Sequence, residues 1–286
     1  MLAVPRHDLE CHPGGVTLKK FWLLLLLLPL CASLADAQTG TPGTKKRRPL
    51  PHEYGKVVID KYSAQAGFAP VRFDHWLHRA KFTCRVCHVD IGFAMTANGS
   101  DIKALDNMNG YYCGTCHNGK MAYGNRTVFA ACSSKYSKDD LGRCFRCHTK
   151  EDNIGRDIDF ATFTRDLPKE RFGNGIDWEK AEDAGLIKLV DYIEGVSIKR
   201  AALAVQKDFA ISAKVEGMPE IIFSHKKHTV WNGCELCHPE IFNSTKKGTV
   251  KYSMTDIFAG KYCGACHVNV AFPSIDCQRC HAKPVQ

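Results

Sequence analysis

Residues 73–88 read FDHWLHRAKFTCRVCH, and residues 223–238 read FSHKKHTVWNGCELCH. The two stretches share a Phe, two His three positions apart and a closing Cys-x-x-Cys-His, all at an offset of 150 positions. The same offset relates CGTCH at 113–117 to CGACH at 263–267. Agreement without gaps over this span indicates two copies of one structural unit.

The chain of 286 residues contains 15 Cys, which is high for its length. Twelve of them fall in six Cys-x-x-Cys-His pentapeptides: CRVCH at 84–88, CGTCH at 113–117, CFRCH at 144–148, CELCH at 234–238, CGACH at 263–267 and CQRCH at 277–281. Two thiols three positions apart lie on one side of a helical turn, where both can form thioethers to haem vinyl groups. The adjacent His then reaches the iron, so the sequence predicts six covalently bound haem c groups.

The predicted haem residues come directly from these pentapeptides. The thioether residues are Cys84, Cys87, Cys113, Cys116, Cys144, Cys147, Cys234, Cys237, Cys263, Cys266, Cys277 and Cys280. The proximal iron ligands are His88, His117, His148, His238, His267 and His281. Two other chemistries compete, but a redox Cys pair needs no His after every copy, and a zinc site of four Cys leaves the repeated His without a role.

The arrangement of Phe-x-His-x-x-His followed by three pentapeptides resembles the triheme cytochromes of the c7 kind, relatives of tetrahaem cytochrome c3. The resemblance covers roughly 68–150 and 218–286, and tandem arrays of such modules occur in metal-reducing bacteria. It implies a mostly irregular fold with short α-helices, in which two tandem triheme modules pack around their haems. Each module is too small to build a core from side chains alone, so regular secondary structure should be sparse and mainly helical.

The resemblance also implies distal iron ligands. In c7-like modules the first His of the pair caps the first haem, and the second His caps the second haem. Carried over to this chain, the distal–proximal pairs are His75 with His88, His78 with His117, His225 with His238 and His228 with His267. A pair of solvated or core histidines is the simpler alternative, but identical duplication before the pentapeptides argues against it.

The third haem of each copy has no assured sixth ligand. Eleven His remain outside the leader described below, whereas bis-His ligation of six haems needs twelve. The position that holds a distal His in the c7 pattern is Asn109 in the first copy and Ala259 in the second. Tandem c7-like arrays can use methionine instead, which makes Met254 the candidate in the second copy and Met108 a candidate in the first.

Three residues keep more than one interpretation. The position of the first copy that is equivalent to Met254 holds Ala104, so Met95 is a second candidate there. His52, on a segment flanked by proline, is another candidate for the sixth ligand. Cys132 belongs to no pentapeptide and is expected to be a free buried thiol rather than an intermolecular bridge.

The N-terminal segment predicts export. Residues 21–30 read FWLLLLLLPL, follow two lysines and precede an Ala-Asp-Ala site at 35–37. Ten apolar residues are few for a membrane span, so we expect residues 1–37 to be a signal peptide and the mature chain to be periplasmic or exported. Lipid attachment at Cys31 and an uncleaved anchor helix are the alternatives.

The chain is expected to divide into four further segments: an N-terminal linker at 38–67, triheme module 1 at 68–150, an ordered spacer at 151–217 and triheme module 2 at 218–286. The spacer contains no Cys or His and no catalytic constellation, so we expect it to pack on the modules and set their distance. Asp177 should cap a short helix that ends before Gly185.

The third pentapeptide begins 31 residues after the second in module 1 and 14 in module 2, which predicts a surface loop in module 1.

These predictions together favour an electron carrier over an enzyme. Iron ligated on both sides has no open position for substrate, so we expect single-electron transfer along a haem chain in anaerobic or extracellular respiration. Expected partners are an inner-membrane quinol oxidoreductase and outer-membrane cytochromes, without nucleic acid, because the +9 charge has only one tight basic cluster, at 45–48. A multihaem reductase with an open haem, or a subunit of an extracellular haem filament or membrane conduit, is the alternative.

Overall fold

The computed structural model describes residues 48–135, 137, 140–150, 158–201, 207–213 and 215–283. The predicted signal peptide, with its apolar run and Cys31, lies outside the described residues. All elements below belong to one compact unit, Pro49–Gln286. Within the described ranges no helix has both the length and the apolar composition needed to cross a bilayer.

The strands form small antiparallel sheets, and a strand of two of these sheets leads directly into a His pair. The strands are β1 (Lys56–Ile59) with β2 (Val71–Asp74), β3 (Ala122–Tyr123) with β4 (Arg126–Thr127), and β5 (Phe209–Ile211), β6 (Glu220–Phe223) and β7 (His281–Lys283) in a sheet with β6 in the middle. In register, Val57 faces Phe73 and Ala210 faces Ile222. β1 comes from the predicted linker and β5 from the predicted spacer, so each flanking segment supplies a partner to the strand that leads into a His pair.

The helices are short. They are α1 (His75–Arg79), α2 (Ala104–Met108), α3 (Leu141–Cys144), α4 (Phe160–Phe163), α5 (Trp178–Asp183), α6 (His225–Asn232), α7 (Met254–Phe258), α8 (Gly264–His267) and α9 (Cys277–Cys280), with a π-helical turn at Val86–Asp90 and 3-10 turns at Pro51–Glu53, Ala64–Ala66 and Tyr112–Thr115. This agrees with the expected mostly irregular fold. The strands have a larger part than the expectation of mainly helical structure allowed, because the backbone beside each His pair needs hydrogen-bond partners.

The largest group of buried apolar side chains in the described part of the chain joins the spacer to α1. Trp76 of α1 and Ala80, directly after it, enter this core, and the spacer supplies Leu167, Ile176, Trp178, Ala181 and Ile187. Phe160 stands edge-on to Trp76, with ring centres 5.0 Å apart. The spacer thus builds a side-chain core that the expectation of haems as the core did not locate.

The spacer helix forms as its capping residues predict. The carboxylate of Asp177 accepts a hydrogen bond from the amide of Lys180 at 3.1 Å, which satisfies one of the free donors at the start of α5. The helix ends at Asp183, and Gly185 adopts a φ of 68°, a conformation that favours glycine.

Candidate haem sites

One cavity of about 1340 Å³ gathers the predicted haem residues of both copies. The pentapeptide cysteines line it, except for Cys144 and Cys234. The histidines that line it are His75, His78, His88, His117, His228, His267 and His281. Most other lining side chains are apolar or aromatic. An apolar interior with a few convergent polar groups suits large, flat, apolar ligands.

Three of the four predicted ligand pairs face each other at nearly one distance. Their ring centres are 6.4 Å apart for His75 and His88, 6.3 Å for His78 and His117, and 6.1 Å for His228 and His267. An imidazole nitrogen lies about 2.0 Å from a ligated metal and about 1.1 Å from the centre of its own ring, so two rings on opposite sides of one iron have centres about 6.2 Å apart. The observed spacing therefore accommodates one iron between the rings of each pair.

The fourth pair, His225 and His238, does not line the cavity. Burial, and then the charge on the nearby His238, lowers the pKa of His225. The two rings are therefore electrostatic neighbours, at the place where the sequence repeat predicts a pair.

Backbone carbonyls orient most of the predicted ligands. Nδ1 lies 2.7–3.1 Å from a carbonyl oxygen in eight cases: His75 with Gly55, His78 with Asp74, His88 with Phe93, His148 with Ala69, His228 with Ser224, His238 with Phe242, His267 with Phe272 and His281 with Pro219. When Nδ1–H donates to a carbonyl, the neutral ring keeps its free lone pair on Nε2. This is how proteins commonly orient a metal-ligating His. His117 differs: its Nδ1 lies near the Phe129 carbonyl without meeting hydrogen-bond geometry.

Burial favours the uncharged form of several imidazoles and thiols of the cavity. It lowers the pKa of His75 and His267 to about 4 and that of His78 to about 3. It raises the pKa of the Cys87, Cys113 and Cys266 thiols to about 12. Neutral imidazole is the form that ligates a metal. A thioether, unlike a thiolate, leaves no charge to bury.

The repeated phenylalanines, to which the sequence pattern assigned no role, cover the second distal His of each copy. Phe73 stacks on His78 with ring centres 4.4 Å apart and an interplanar angle of 29°. Phe223 stacks on His228 at 4.5 Å and 24°. The sequence carries this signal as a Phe shared at the offset of 150, and in the structure each Phe packs against the ring of a predicted ligand.

The predicted surface loop of the first copy contains the β3–β4 hairpin. It leads to Phe129, whose ring centre lies 4.4 Å from that of His117. In the second copy Phe272 lies 4.3 Å from His267. Phe129 lies 12 positions after His117, and Phe272 lies five positions after His267. The hairpin therefore accommodates the longer chain of the first copy and places an equivalent ring against the His.

Gly114 and Gly264 are site residues that the pentapeptide pattern missed. A Cβ built on either glycine would lie 1.9 Å from a carbonyl oxygen, that of Asn107 or Ile257. The end of α2 or α7 therefore packs directly onto the second pentapeptide of its own copy. The sequence marks this glycine position, because both second pentapeptides read Cys-Gly-x-Cys-His.

The third pentapeptides dock alike although their sequence spacing differs. Nδ1 of His148 lies 2.8 Å from the Ala69 carbonyl, and Nδ1 of His281 lies 2.7 Å from the Pro219 carbonyl. These two carbonyls are 150 positions apart, and each third His also pairs with the adjacent strand, β2 or β6. The third pentapeptides are therefore equivalent in the structure, although the sequence offset of 150 does not relate them.

The structure separates the candidate sixth ligands of the third haems. Met254, at the start of α7, lines the cavity, and so does Met95. Met108, at the end of α2, does not line it, although Met108 and Met254 are equally exposed, at 40% each. His52 also lies outside the cavity, close to Asp159.

In the described part of the chain the thirteen cysteines, including the half-buried Cys132, form no disulfides. Among the described residues, no three His, Cys, Asp or Glu side chains converge in a way that could hold a metal ion. Burial raises the pKa of Cys132, and a hydrogen bond from the side chain of Asn107 opposes that shift.

Comparison with known proteins adds an independent finding. The family model for cytochrome c7 and related cytochrome c matches residues 71–153 and 221–282. A c7-type three-heme cytochrome domain is 35% identical over 28% of this chain and 99% of that domain, with a TM-score of 0.25. A C-terminal hexaheme fragment is 22% identical over 82% of this chain and 98% of the fragment, with a TM-score of 0.24.

A dodecaheme cytochrome c is 25% identical over 81% of this chain and 75% of that protein, with a TM-score of 0.24. No curated protein matches the chain significantly. The family match covers just over half of the chain, including all six pentapeptides and both His pairs. The chain belongs to the family of cytochrome c7 and related cytochrome c.

Proposed function

We propose that this multiheme c-type cytochrome carries six covalent haems and transfers single electrons along them as an electron carrier. Its two copies act as triheme modules, at 68–150 and 218–286, joined by the spacer at 151–217. The observation that carries the proposal is the spacing of three imidazole pairs, each suited to one iron. Family membership supports the same chemistry.

The protein's part in this function is to hold each iron from both sides. When bound, haem c supplies reversible one-electron chemistry at its iron. The histidines of the pentapeptides take the proximal positions, and His75, His78, His225 and His228 take the distal positions of four haems. Two imidazoles on one iron leave no open coordination position, which suits electron transfer and excludes substrate binding at these four sites.

Neighbouring residues protect and orient these ligands. The carbonyls near Nδ1 fix the orientation of eight of these rings and leave Nε2 as the nitrogen available to a metal. Phe73 and Phe223 cover one distal ring in each copy, which keeps water away from it. The apolar walls lower the local dielectric, one of the properties by which a protein tunes haem potentials.

The third haem of each copy has a different sixth ligand in this proposal. The four distal His serve the first two haems of each copy, and the described ring contact of His148 is with Phe68, at 5.3 Å. Met254 lines the cavity, which supports it as the ligand in the second copy. In the first copy the same criterion supports Met95 over Met108. Methionine ligation would raise both potentials above those of the bis-His haems.

Export and partners complete the proposal. The predicted signal peptide supports action in the periplasm or outside the cell. An inner-membrane quinol oxidoreductase is the proposed donor, and outer-membrane cytochromes are the proposed acceptors.

Mass spectrometry of the purified protein tests the haem count. Expression in a host with a cytochrome-maturation system should give a denatured mass equal to the processed chain plus six haems. A Cys277→Ala/Cys280→Ala variant should weigh one haem less. A colourless protein, or the mass of the bare chain, contradicts the proposal.

Low-temperature EPR of the oxidised protein tests the ligands. We expect four bis-His irons and two His/Met irons, and Met254→Ala should convert one His/Met iron to another form. The unpaired third sites also favour one alternative, a multihaem reductase with an open haem. High-spin signals in the wild type together with binding of carbon monoxide would support that enzyme and contradict the carrier.

A further inference from the structure

The first pentapeptides of the two copies lie against each other. Arg85, inside CRVCH, packs its stem beside Gly233, the residue that precedes CELCH. A Cβ built on Gly233 would lie 2.8 Å from Cδ of Arg85 and 2.7 Å from Oε2 of Glu235. Gly233 also has a φ of 66°, so glycine is needed here for both conformation and space. Equivalent segments of the two copies thus meet where the Arg85 side chain packs on the backbone of Gly233.

Arg200 of the spacer joins the same two segments. Its guanidinium lies 2.8 Å from a carboxylate oxygen of Asp90, two residues after His88. It also lies 2.8 Å from Glu235, inside the first pentapeptide of the second copy. The side chain of Asp90 has no exposed surface and that of Arg200 is 13% exposed. Because a buried carboxylate needs a counter-charge, removal of Arg200 would disrupt this contact.

Within each copy the third pentapeptide packs against the second. Cζ of Arg146, inside CFRCH, lies 3.7 Å from the ring centre of Phe129, and that ring packs on His117. Cζ of Arg279, inside CQRCH, lies 4.5 Å from the ring centre of Phe272, and that ring packs on His267. The contact between copies involves the first pentapeptides, and each third pentapeptide neighbours the second of its own copy.

We propose that the two modules are joined head to head at their first attachment sites, with Arg200 as a positioning residue for the junction. The spatial order of the attachment sites is then 144–148, 113–117, 84–88, 234–238, 263–267 and 277–281. The two third sites, which lack a paired His, lie at opposite ends of this order. A head-to-tail tandem would instead join 144–148 to 234–238. The inference rests on the proposed function, because it orders the haems that the function requires.

Proton NMR of the fully reduced holoprotein tests the order. Low-spin ferrous haems are diamagnetic, so nuclear Overhauser effects between haem substituents report which haems are neighbours. We expect contacts between the haem attached at 84–88 and the haem attached at 234–238. His75→Met and His225→Met identify these two haems, because a ligating methionine methyl gives a separate high-field signal. If no contact joins them, the head-to-head order is wrong.

An Arg200→Ala variant tests the positioning residue. It should lose the contacts between 84–88 and 234–238 and keep the contacts within each module. Lys199→Ala is the matched control, because it removes the same charge from the neighbouring exposed side chain and should keep every contact. If the haem contacts are unchanged in Arg200→Ala, Arg200 does not position the junction.

The haem count of the same sample distinguishes a failure of the proposed order from a failure of the proposed function. Six haems with contacts between 144–148 and 234–238 overturn the order and leave the proposed function standing. Fewer than six haems by mass contradict the proposed function itself.

Discussion

Two glycines show how strongly a single residue can constrain a haem site. Gly114 and Gly264 occupy equivalent positions, each with a helix-end carbonyl where a Cβ would be. Tyr112 and Tyr262, two residues earlier, have φ values of 48° and 53°, which side-chain-bearing residues rarely adopt. Both copies thus repeat the same strained turn, and the close packing of α2 or α7 holds it in place.

Replacement of Gly114 by alanine should therefore damage the second haem site. The added Cβ overlaps the Asn107 carbonyl, and such overpacking costs about 1–3 kcal/mol. We expect a lower unfolding midpoint and partial loss of the haem attached at 113–117, measured by denaturant unfolding and by mass. Gly142→Ala is the control, since nothing lies within 4 Å of its added Cβ. Equal effects of the two variants would contradict the packing argument.

Tyr54 connects the N-terminal segment to the second copy. Its hydroxyl donates to the Ala271 carbonyl at 2.5 Å. Burial, and then the charge of Glu170, raises the pKa of Tyr54 well above its ordinary value of 10.0. Folding therefore favours the protonated phenol, while the unfolded chain ionises near its ordinary value.

The Tyr54→Phe variant should change the stability profile in alkali. Loss of the hydrogen bond costs about 1 kcal/mol at neutral pH. As pH rises above 10.0, ionisation of Tyr54 in the unfolded chain lowers the free energy of unfolding of the wild type, and Tyr54→Phe should escape this part of the loss. Denaturant unfolding from pH 8 to pH 11 measures both effects, with the exposed Tyr111→Phe as control. Parallel pH profiles for wild type and Tyr54→Phe would rule out this linkage.

At the scale of elements, α1 and α6 carry equivalent His pairs but differ in their other faces. Between its His residues α1 has Trp and Leu, whereas α6 has two Lys. Trp76 is 3% exposed against the spacer core, while its counterpart Lys226 is exposed. Lys227 instead forms an ion pair with Glu179 of α5. The spacer therefore packs its apolar side on α1 and a charged side toward α6.

A matched pair of substitutions tests this asymmetry. Trp76→Ala should lower the free energy of unfolding by about 3–5 kcal/mol, because it leaves a cavity in the core shared with the spacer. Lys226→Ala, at the equivalent position of α6, should change it by about 0.5 kcal/mol or less. Thermal and denaturant unfolding of both holoproteins provide the comparison. Similar losses would mean that the spacer supports both helices equally.

At the scale of the whole molecule, opposite charges hold the spacer in place. Residues 151–217 contain fourteen acidic and ten basic side chains, whereas 68–150 contain twelve basic and six acidic. Three pairs join a spacer carboxylate to a basic residue of a copy: Glu170 with Arg279, Glu179 with Lys227 and Asp191 with Arg85. Arg200 adds pairs of the opposite polarity, with Asp90 and Glu235. Ion pairs therefore tie the spacer to both copies.

The haems should change the net charge of the whole protein. The polypeptide carries a net charge of +9 and has a sequence pI of about 8.8. Each of the six proposed haems adds two propionates, which ionise at neutral pH and offset the basic residues. We expect native isoelectric focusing to place the holoprotein well below the haem-free chain. A holoprotein that still focuses near 8.8 would show that the propionates are not ionised or not present.

The sequence by itself determined the family, the six attachment motifs and the repeat, because thioether attachment and proximal ligation depend on residues within one pentapeptide. It also predicted the capped helix α5, since a cap is a local interaction. It did not locate the core on α1, the roles of Phe73 and Gly114, or the equivalent docking of His148 and His281.

Only the tertiary structure decided how the predicted parts meet. The ring spacing of each His pair, the choice of Met254 over Met108 as a cavity residue, and the contact of Arg200 with both copies join residues that are far apart in the chain. Local spacing carries no information on such contacts. They are set by which apolar surfaces and charges find partners when the whole chain packs.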